Sequence, residues 1–443
     1  MSNPDLDLHS SRLTDSGLPA EVVTRLSARF SMLHARHRRR AATDAVAWFV
    51  PGRIEIVGKH TDYAGGRSLV CAVDRGLAVV ATPRDDERIV IEDIERSSTA
   101  TLRASDIEPP VRWALYPLTV LRRLARNFGE PMRGADIAFS SDLPAAAGMS
   151  SSSALMIATL LALTKANSLA ERRLWRDNIG DALDLASYAA TIENGSGFRE
   201  LPGERGVGTE GGSQDHTAIL CCDAARLTAF SYRPTRREHT LALPAELVFV
   251  IGASGVRAQK TGGVRDDYNR AARAAGAVLD KWRASTGRQD DTLAAAVASG
   301  PEVADQIRRA IEDRPDLVDR FEQFLEESTS IVPSAVDRLA AGDLDRFGSI
   351  VDRSQQLAEQ RLRNQIPETI ALARLARRHG ARAASAFGAG FGGSVWALVE
   401  ARHAARFAEK WQNAYRDAHP GAARHATFFA TRPGPPAFAV RET

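Results

Sequence analysis

The side chains able to do chemistry gather in four short segments. In Leu143-Pro144-Ala145-Ala146-Ala147-Gly148-Met149-Ser150-Ser151-Ser152-Ser153-Ala154, small and hydroxyl residues join a strand-like run to an apolar, helix-like one. Small residues let a backbone approach a ligand closely, and a helix start presents unpaired N–H groups and the positive end of a dipole. Such a site suits phosphate, with serine hydroxyls adding hydrogen bonds or a metal ligand. It lacks the Gly-Lys-Ser/Thr ending of a Walker loop, and a serine-rich helix cap fits it equally well in isolation.

The second segment, Ser385-Ala386-Phe387-Gly388-Ala389-Gly390-Phe391-Gly392-Gly393-Ser394-Val395, places a side-chain-poor turn between two apolar strands. It reads either as a hairpin loop or as backbone meant to lie close to a ligand or to the first segment. A dinucleotide site is disfavoured, because a strand rather than a helix follows. The third, Pro51-Gly52-Arg53-Ile54-Glu55-Ile56-Val57-Gly58-Lys59-His60-Thr61-Asp62-Tyr63-Ala64-Gly65-Gly66, ends a strand in a knot of Lys, His and Asp. Such a knot suits a polyhydroxylated substrate, or is simply a charged turn. The fourth, Gly211-Gly212-Ser213-Gln214-Asp215-His216, offers Asp215 as general base, metal ligand or helix cap.

The elements around these segments follow from hydrophobic period. Apolar positions Val22, Val23, Leu26, Phe30 and Leu33 predict a helix over Glu21–Arg40 with a basic end. Strands are expected over Ala47–Val57, interrupted at Pro51-Gly52, then over 68–82, 88–94 and 135–141, and helices over 113–128, 153–165 and 176–193. A glycine-dense loop covers 194–212. Strands are expected again at 227–233, 241–254 and 426–432, with a hairpin over 382–400. Helices fill most of 264–380 and 401–419. This order predicts an α+β fold of two halves meeting near residue 240. The expected division is an N-terminal helical extension over 1–44, a first domain over 45–240 and a second over 241–443.

The 443 residues, 44% apolar and 26% charged, are enough for two soluble globular units. A net charge of +3, with no basic patch interleaved with aromatics, argues against nucleic acid as a partner. Three cysteines, Cys71, Cys221 and Cys222, have neither disulfide-framework nor metal-ligand spacing. The sequence shows no secretory leader and no apolar run of membrane-spanning length, so a cytoplasmic protein without a membrane partner is expected.

Taken together, the three glycine-containing motifs, in this order and spacing, resemble the GHMP kinase superfamily. Within it, Pro51–Tyr63, Trp113 and Tyr116, and Tyr268-Asn269-Arg270 are similar to galactokinases, and the resemblance runs from about residue 45 to 432. It implies a two-domain fold with the active site in the cleft between domains. It also implies ATP and Mg²⁺, and phosphoryl transfer to the anomeric hydroxyl of galactose or a related sugar. By the same resemblance, Gly148, Met149, Ser150, Ser151, Ser152 and Ser153 cradle the ATP phosphates, and Trp113 lies near the base. Mg²⁺ is held by Glu193 and one of Ser151 and Ser152, with Ser152 favoured. Asp215 is the catalytic base and Arg53 its partner; His60, Asp62, Gly212 and Tyr268 contact the sugar. A monomer is compatible with this reading, and the oligomeric state is left open.

The chain departs from the family at three places. Galactokinases usually carry Glu, which contacts the C6 hydroxyl, where this chain has Lys59. The usual Asn is Glu55, and the usual Leu is Met149. Two arrangements are open. Lys59 pairs with Glu55 or lies outside the pocket, leaving galactose as substrate, or Lys59 reads a C6 carboxylate and the substrate is a uronic acid such as galacturonate. A kinase for a non-sugar alcohol fits His60-Thr61-Asp62-Tyr63 poorly, and a non-catalytic ATP- and sugar-binding sensor fits Arg53 and Asp215 poorly. The segments Ser196–Thr209 and Lys260–Gly263 are candidate lids.

Overall fold

The computed structural model describes residues 11–38, 45–144, 148–256 and 263–441. Its framework is strand β2 (Arg67–Pro83), seventeen residues long and buried almost throughout, so it pairs on both edges and lies under helices. Among the described residues, the sheet around it runs β12-β1-β2-β5-β3-β4, with β6 attached to β2 and β7 to β6. These strands are β1 (Val46–Val57), β3 (Ile89–Asp93), β4 (Ser98–Leu102), β5 (Ala135–Ser141), β6 (Arg226–Ser231), β7 (Arg236–Ala242) and β12 (Phe438–Arg441). A second antiparallel sheet has the order β11-β8-β10-β9. It is formed by β8 (Leu247–Ala253), β9 (Ala383–Phe387), β10 (Ser394–Glu400) and β11 (Thr427–Thr431).

The main core lies between the first sheet and the helices Leu115–Phe128, Ser151–Ala166, Ala182–Asn194 and Gln214–Cys221. It continues through Phe249, Trp396 and Leu398 onto one face of the second sheet. The other face of that sheet, with Val250, Val395 and Ala397, packs on the helices Pro367–Arg378 and Ala404–Ala418. The helix Ala20–Arg38 covers the outer side of the first sheet. Val22, Leu26, Phe30 and Leu33 form its buried stripe against Phe49, Ala78 and Val80.

Several expectations change in detail. Strand β1 is not broken at Pro51-Gly52. It runs on with a register shift, Pro51 facing Gly76 and Arg53 facing Ala72, so the extra residues bulge out of β2. A bulge re-aims the neighbouring side chains, and here it sits beside Arg53. The helix expected over 176–193 is two helices, Arg173–Asn178 and Ala182–Asn194, the second capped where the Asp181 side chain accepts the Asp184 N–H. The strand expected over 241–254 divides into β7 and β8. Strand β12 was not anticipated; it follows the last strand of the second sheet and pairs with β1 in the first. Of the segment opening at Leu143, residues 145–147 lie outside the described residues, as do Arg39, Arg40 and Lys260–Gly262; Gly263 opens the helix Gly263–Thr286.

Candidate active site

The two glycine-rich segments meet. Gly148 and Gly388 both have positive φ, +75° and +83°, and a Cβ on Gly388 would lie 2.9 Å from the Gly148 carbonyl oxygen. Only glycine permits this approach in a left-handed backbone. The first segment then turns through Ser150, itself left-handed at φ 58°, into the helix Ser151–Ala166. Ser150 Oγ is buried with no hydrogen-bond partner among the described residues. Ser153 Oγ donates to Glu193 Oε2 at 3.0 Å, which brings Glu193 to the serine-rich helix start. Met149 is buried, and its carbonyl accepts the Arg53 N–H at 3.3 Å.

Arg53 and Asp215 form the polar centre. Nε and Nη2 of Arg53 each lie 2.7 Å from Asp215 Oδ1, and Nη1 donates to the Gly148 carbonyl. The arginine thus ties the strand β1, the helix Gln214–Cys221 and the first glycine-rich segment together. Burial opposes its charge, yet the carboxylates of Asp215 and Glu55 outweigh this and hold its pKa above the ordinary value.

Beside this pair is a small cavity. Arg53, His60, Asp62, Glu193, Gly212, Asp215, Tyr268 and Gly388 all line it. Asp62 Oδ2 accepts the backbone N–H of Gln214 at 3.1 Å. A Cβ on Gly212 would come within 2.5 Å of that oxygen, so a side chain there would push Asp62 aside. Burial pushes the Asp62 carboxyl up to about 6, against the Gln214 N–H, which lowers it. His60 adopts a left-handed φ of 56°, uncommon for a non-glycine residue. Its carbonyl accepts Arg320 Nη2 at 2.6 Å, which fixes that backbone from the helix Pro315–Glu326. Its Nε2 lies 3.2 Å from the Ala389 carbonyl and its Nδ1 3.1 Å from the Tyr63 hydroxyl. Those contacts suit the tautomer with the proton on Nε2. Tyr268 packs on His60 with ring centroids 5.2 Å apart, and burial drives its phenol pKa well up.

Of the residues expected to contact the sugar, Lys59 lies elsewhere. Lys59 does not line the cavity; it is 1% exposed, and its ammonium lies 3.7 Å from Glu55 Oε1. Trp113 donates Nε1–H to Ser98 Oγ at 3.1 Å and meets Phe139 edge-on, away from the cavity walls. Ser151 and Ser152 are half-buried at the helix start. The loop Ser196–Thr209 is not free to act as a flap. Leu201 is buried in the main core, Val207 N–H bonds the Glu193 carbonyl at 2.9 Å, and Arg123 Nη1 holds the Ser196 carbonyl at 2.8 Å.

Glu55 and Gln214 are cavity residues to which sequence reasoning gave no role in the site. Gln214 serves twice, its backbone N–H on Asp62 and its Nε2 on Glu55 Oε2 at 3.0 Å. Its place immediately before Asp215 was the available signal.

Residues 35–83 match the galactokinase galactose-binding signature, 116–201 the N-terminal domain of GHMP kinases and 335–417 their C-terminal domain. The galactokinase of Actinobacillus pleuropneumoniae is 40% identical over 112 residues, but that match spans 25% of this chain and 29% of that protein. The galactokinase of Streptomyces coelicolor is 27% identical over 369 residues, 80% of this chain and 84% of that protein. Lactococcus lactis galactokinase, solved with galactose, shares the fold. Its TM-score is 0.75 at 20% identity, over 92% of this chain and 99% of that one. With the signature and both halves of the kinase fold in order along one chain, the protein belongs to the GHMP kinase superfamily, on its galactokinase branch.

Proposed function

We propose that this protein transfers the γ-phosphoryl group of ATP to the anomeric hydroxyl of a neutral hexose, galactose or a close relative. The observation that carries the reading is the Arg53–Asp215 pair, which borders the cavity while Arg53 also holds the Gly148 carbonyl. In this reaction Asp215 takes the proton of the C1 hydroxyl as that oxygen bonds to the γ-phosphorus. The bond from that phosphorus to the β–γ bridging oxygen breaks, and ADP leaves. Arg53 keeps Asp215 ionised and offsets charge on the moving phosphoryl group. Asp62, His60 and Tyr268 orient the sugar, and Gly212 leaves room for it.

The ATP phosphates suit the turn from Gly148 to Ser153, where the Gly148 and Gly388 backbones meet and the buried Ser150 hydroxyl lacks a partner among the described residues. Trp113 is assigned to the base side of that turn. Among the described residues, no group of three or more His, Cys, Asp or Glu forms a ready-made metal cage. Mg²⁺ bound with nucleotide usually takes only one or two protein ligands beside phosphate oxygens; Glu193, which reaches the helix start through Ser153, and the Ser152 hydroxyl would hold it. Bound there, the ion would neutralise phosphate charge. In this reading the first unit, over 45–240, carries the nucleotide site and closes on the second, over 241–443, around the sugar.

A neutral sugar is favoured over a uronic acid. The cavity already holds the carboxylic acids of Glu55, Asp62, Glu193 and Asp215 against Arg53, while the Lys59 charge faces Glu55. The test is ADP release over neutral hexoses, uronic acids and deoxy sugars, with the product position read by NMR. Asp215→Ala is expected to abolish transfer while leaving ATP binding in place. Turnover that persists in this variant removes Asp215 from its role, and faster use of galacturonate than galactose overturns the neutral assignment.

A further inference from the structure

One buried charged cluster is not used by the reaction above. At the back of the cavity, Lys59 Nζ and Glu55 Oε1 are 3.7 Å apart, with side chains 2% and 3% exposed. That is longer than the roughly 2.7–2.9 Å of a charge-assisted hydrogen bond. Among the described residues, neither atom has a hydrogen-bond partner. The other carboxylate oxygen, Glu55 Oε2, is held by Gln214 Nε2, and the Glu55 carbonyl is held by Trp396 Nε1 at 3.0 Å. On the far side stands Glu327, on a π-helical turn spanning Glu327–Ile331. It accepts the Gly58 N–H at 2.8 Å and the Ser354 hydroxyl at 2.5 Å. Burial raises the Glu327 carboxyl pKa, and the neighbouring Lys59 charge draws it back down.

Lys59 is therefore set among two acids, and its charge acts inside the protein. Glu55 is the member of the cluster that reaches the cavity. A buried carboxylate oxygen without a donor is costly, and ligand hydroxyls can supply the missing one. An ionised carboxylate only accepts hydrogen bonds, so it selects for a donor and against another carboxylate.

We propose that Glu55 is a specificity-determining residue that accepts a hydrogen bond from a hydroxyl of the acceptor sugar, with Lys59 and Gln214 as positioning residues that hold its carboxylate in place. This rests on the sugar-kinase reading. The lysine that replaces the family's acid then acts through Glu55 rather than on the substrate.

The experiment is a kinetic cycle between enzyme and substrate. Wild type and Glu55→Gln are assayed on the preferred neutral hexose and on its monodeoxy analogues. Loss of one hydrogen bond to a charged group is expected to lower kcat/KM about tenfold to a hundredfold. The loss should fall on the sugar KM, with the KM for ATP unchanged. On one deoxy sugar, the one lacking the hydroxyl that Glu55 reads, the two enzymes should become equal. Lys59→Met should raise the sugar KM in the same direction. The double variant Glu55→Gln/Lys59→Met, which removes both charges, should be no worse than Glu55→Gln alone, and it serves if Lys59→Met does not fold. An equal loss on every deoxy sugar, or no loss at all, overturns the role of Glu55. A wild type that prefers uronic acids overturns it as well. If wild type phosphorylates no sugar, the kinase reading falls and takes this one with it; a neutral sugar turned over without coupling overturns only Glu55.

Discussion

Replacing Arg53 by lysine tests the proposed chemistry at its centre. Arg53 is 3% exposed and gives Nε and Nη2 to Asp215 and Nη1 to the Gly148 carbonyl. A lysine keeps the charge but has a single nitrogen on a flexible stem, so it can serve Asp215 or Gly148 but not both. At least one charge-assisted hydrogen bond is lost, at about 1.5–3 kcal/mol. The fork that orients the base is lost with it. With about 3 kcal/mol removed from the transition state, kcat falls by a factor on the order of 10². The assay is ADP release at saturating ATP and sugar, alongside thermal melting and titration of a non-hydrolysable ATP analogue. Those two measurements separate a chemical defect from loss of the fold or of the nucleotide. An Arg53→Lys enzyme retaining more than a third of the wild-type kcat would refute the argument that the two-sided grip is what prepares Asp215.

Asp62, raised to about 6 by burial, should give kcat/KM for the sugar a rise through pH 6, about tenfold between pH 5 and 7, that Asp62→Asn flattens. The sign for stability is opposite. Because the native carboxyl binds its proton more tightly than the unfolded one at 3.8, wild type should lose stability relative to Asp62→Asn as pH rises from about 4 to about 6. Thermal melts of both proteins across that range check it. Gly388→Ala places a Cβ 2.9 Å from the Gly148 oxygen in a left-handed backbone, which should cost about 1–2 kcal/mol and raise the KM for ATP several-fold while the sugar KM stays put. An unchanged nucleotide KM would show that the contact between the two turns is not what shapes the phosphate site.

The parts of the site legible in the sequence were those where backbone requirements leave a mark in residue type. Glycines at Gly148 and Gly388, serines at a helix start, and an Arg and an Asp at strand and helix ends all announce themselves locally. The hidden parts depend on distant partners. That Lys59 would face inward follows from Glu327, 268 positions along the chain, on a turn whose π-helical winding no local pattern signals. Gln214 gained its two tasks only because β1 and the turn after it come to rest against its helix. The loop Ser196–Thr209 looked like a flap because it is rich in glycine. Its anchoring depends on Arg123, from another helix, and on the burial of Leu201 and Val207 within it. The interruption expected at Pro51-Gly52 was absorbed by a bulge on the opposite strand, which a reading of β1 alone does not contain.

Strand β12 has a consequence for how this fold is reached. Phe438 and Ala439 pair with Phe49 and Trp48, at the opposite end of the described chain. On a ribosome, β1 can pair with β2 early, but its other edge stays open until synthesis has passed Arg441. An open edge with Trp48 and Phe49 along it is a place for strand addition between nascent chains. Closing it joins residues very far apart in sequence, so the pairing has a high contact order and comes late. Strand β12 works as a latch: the sheet that carries Arg53 is complete only once Phe438–Arg441 has been made.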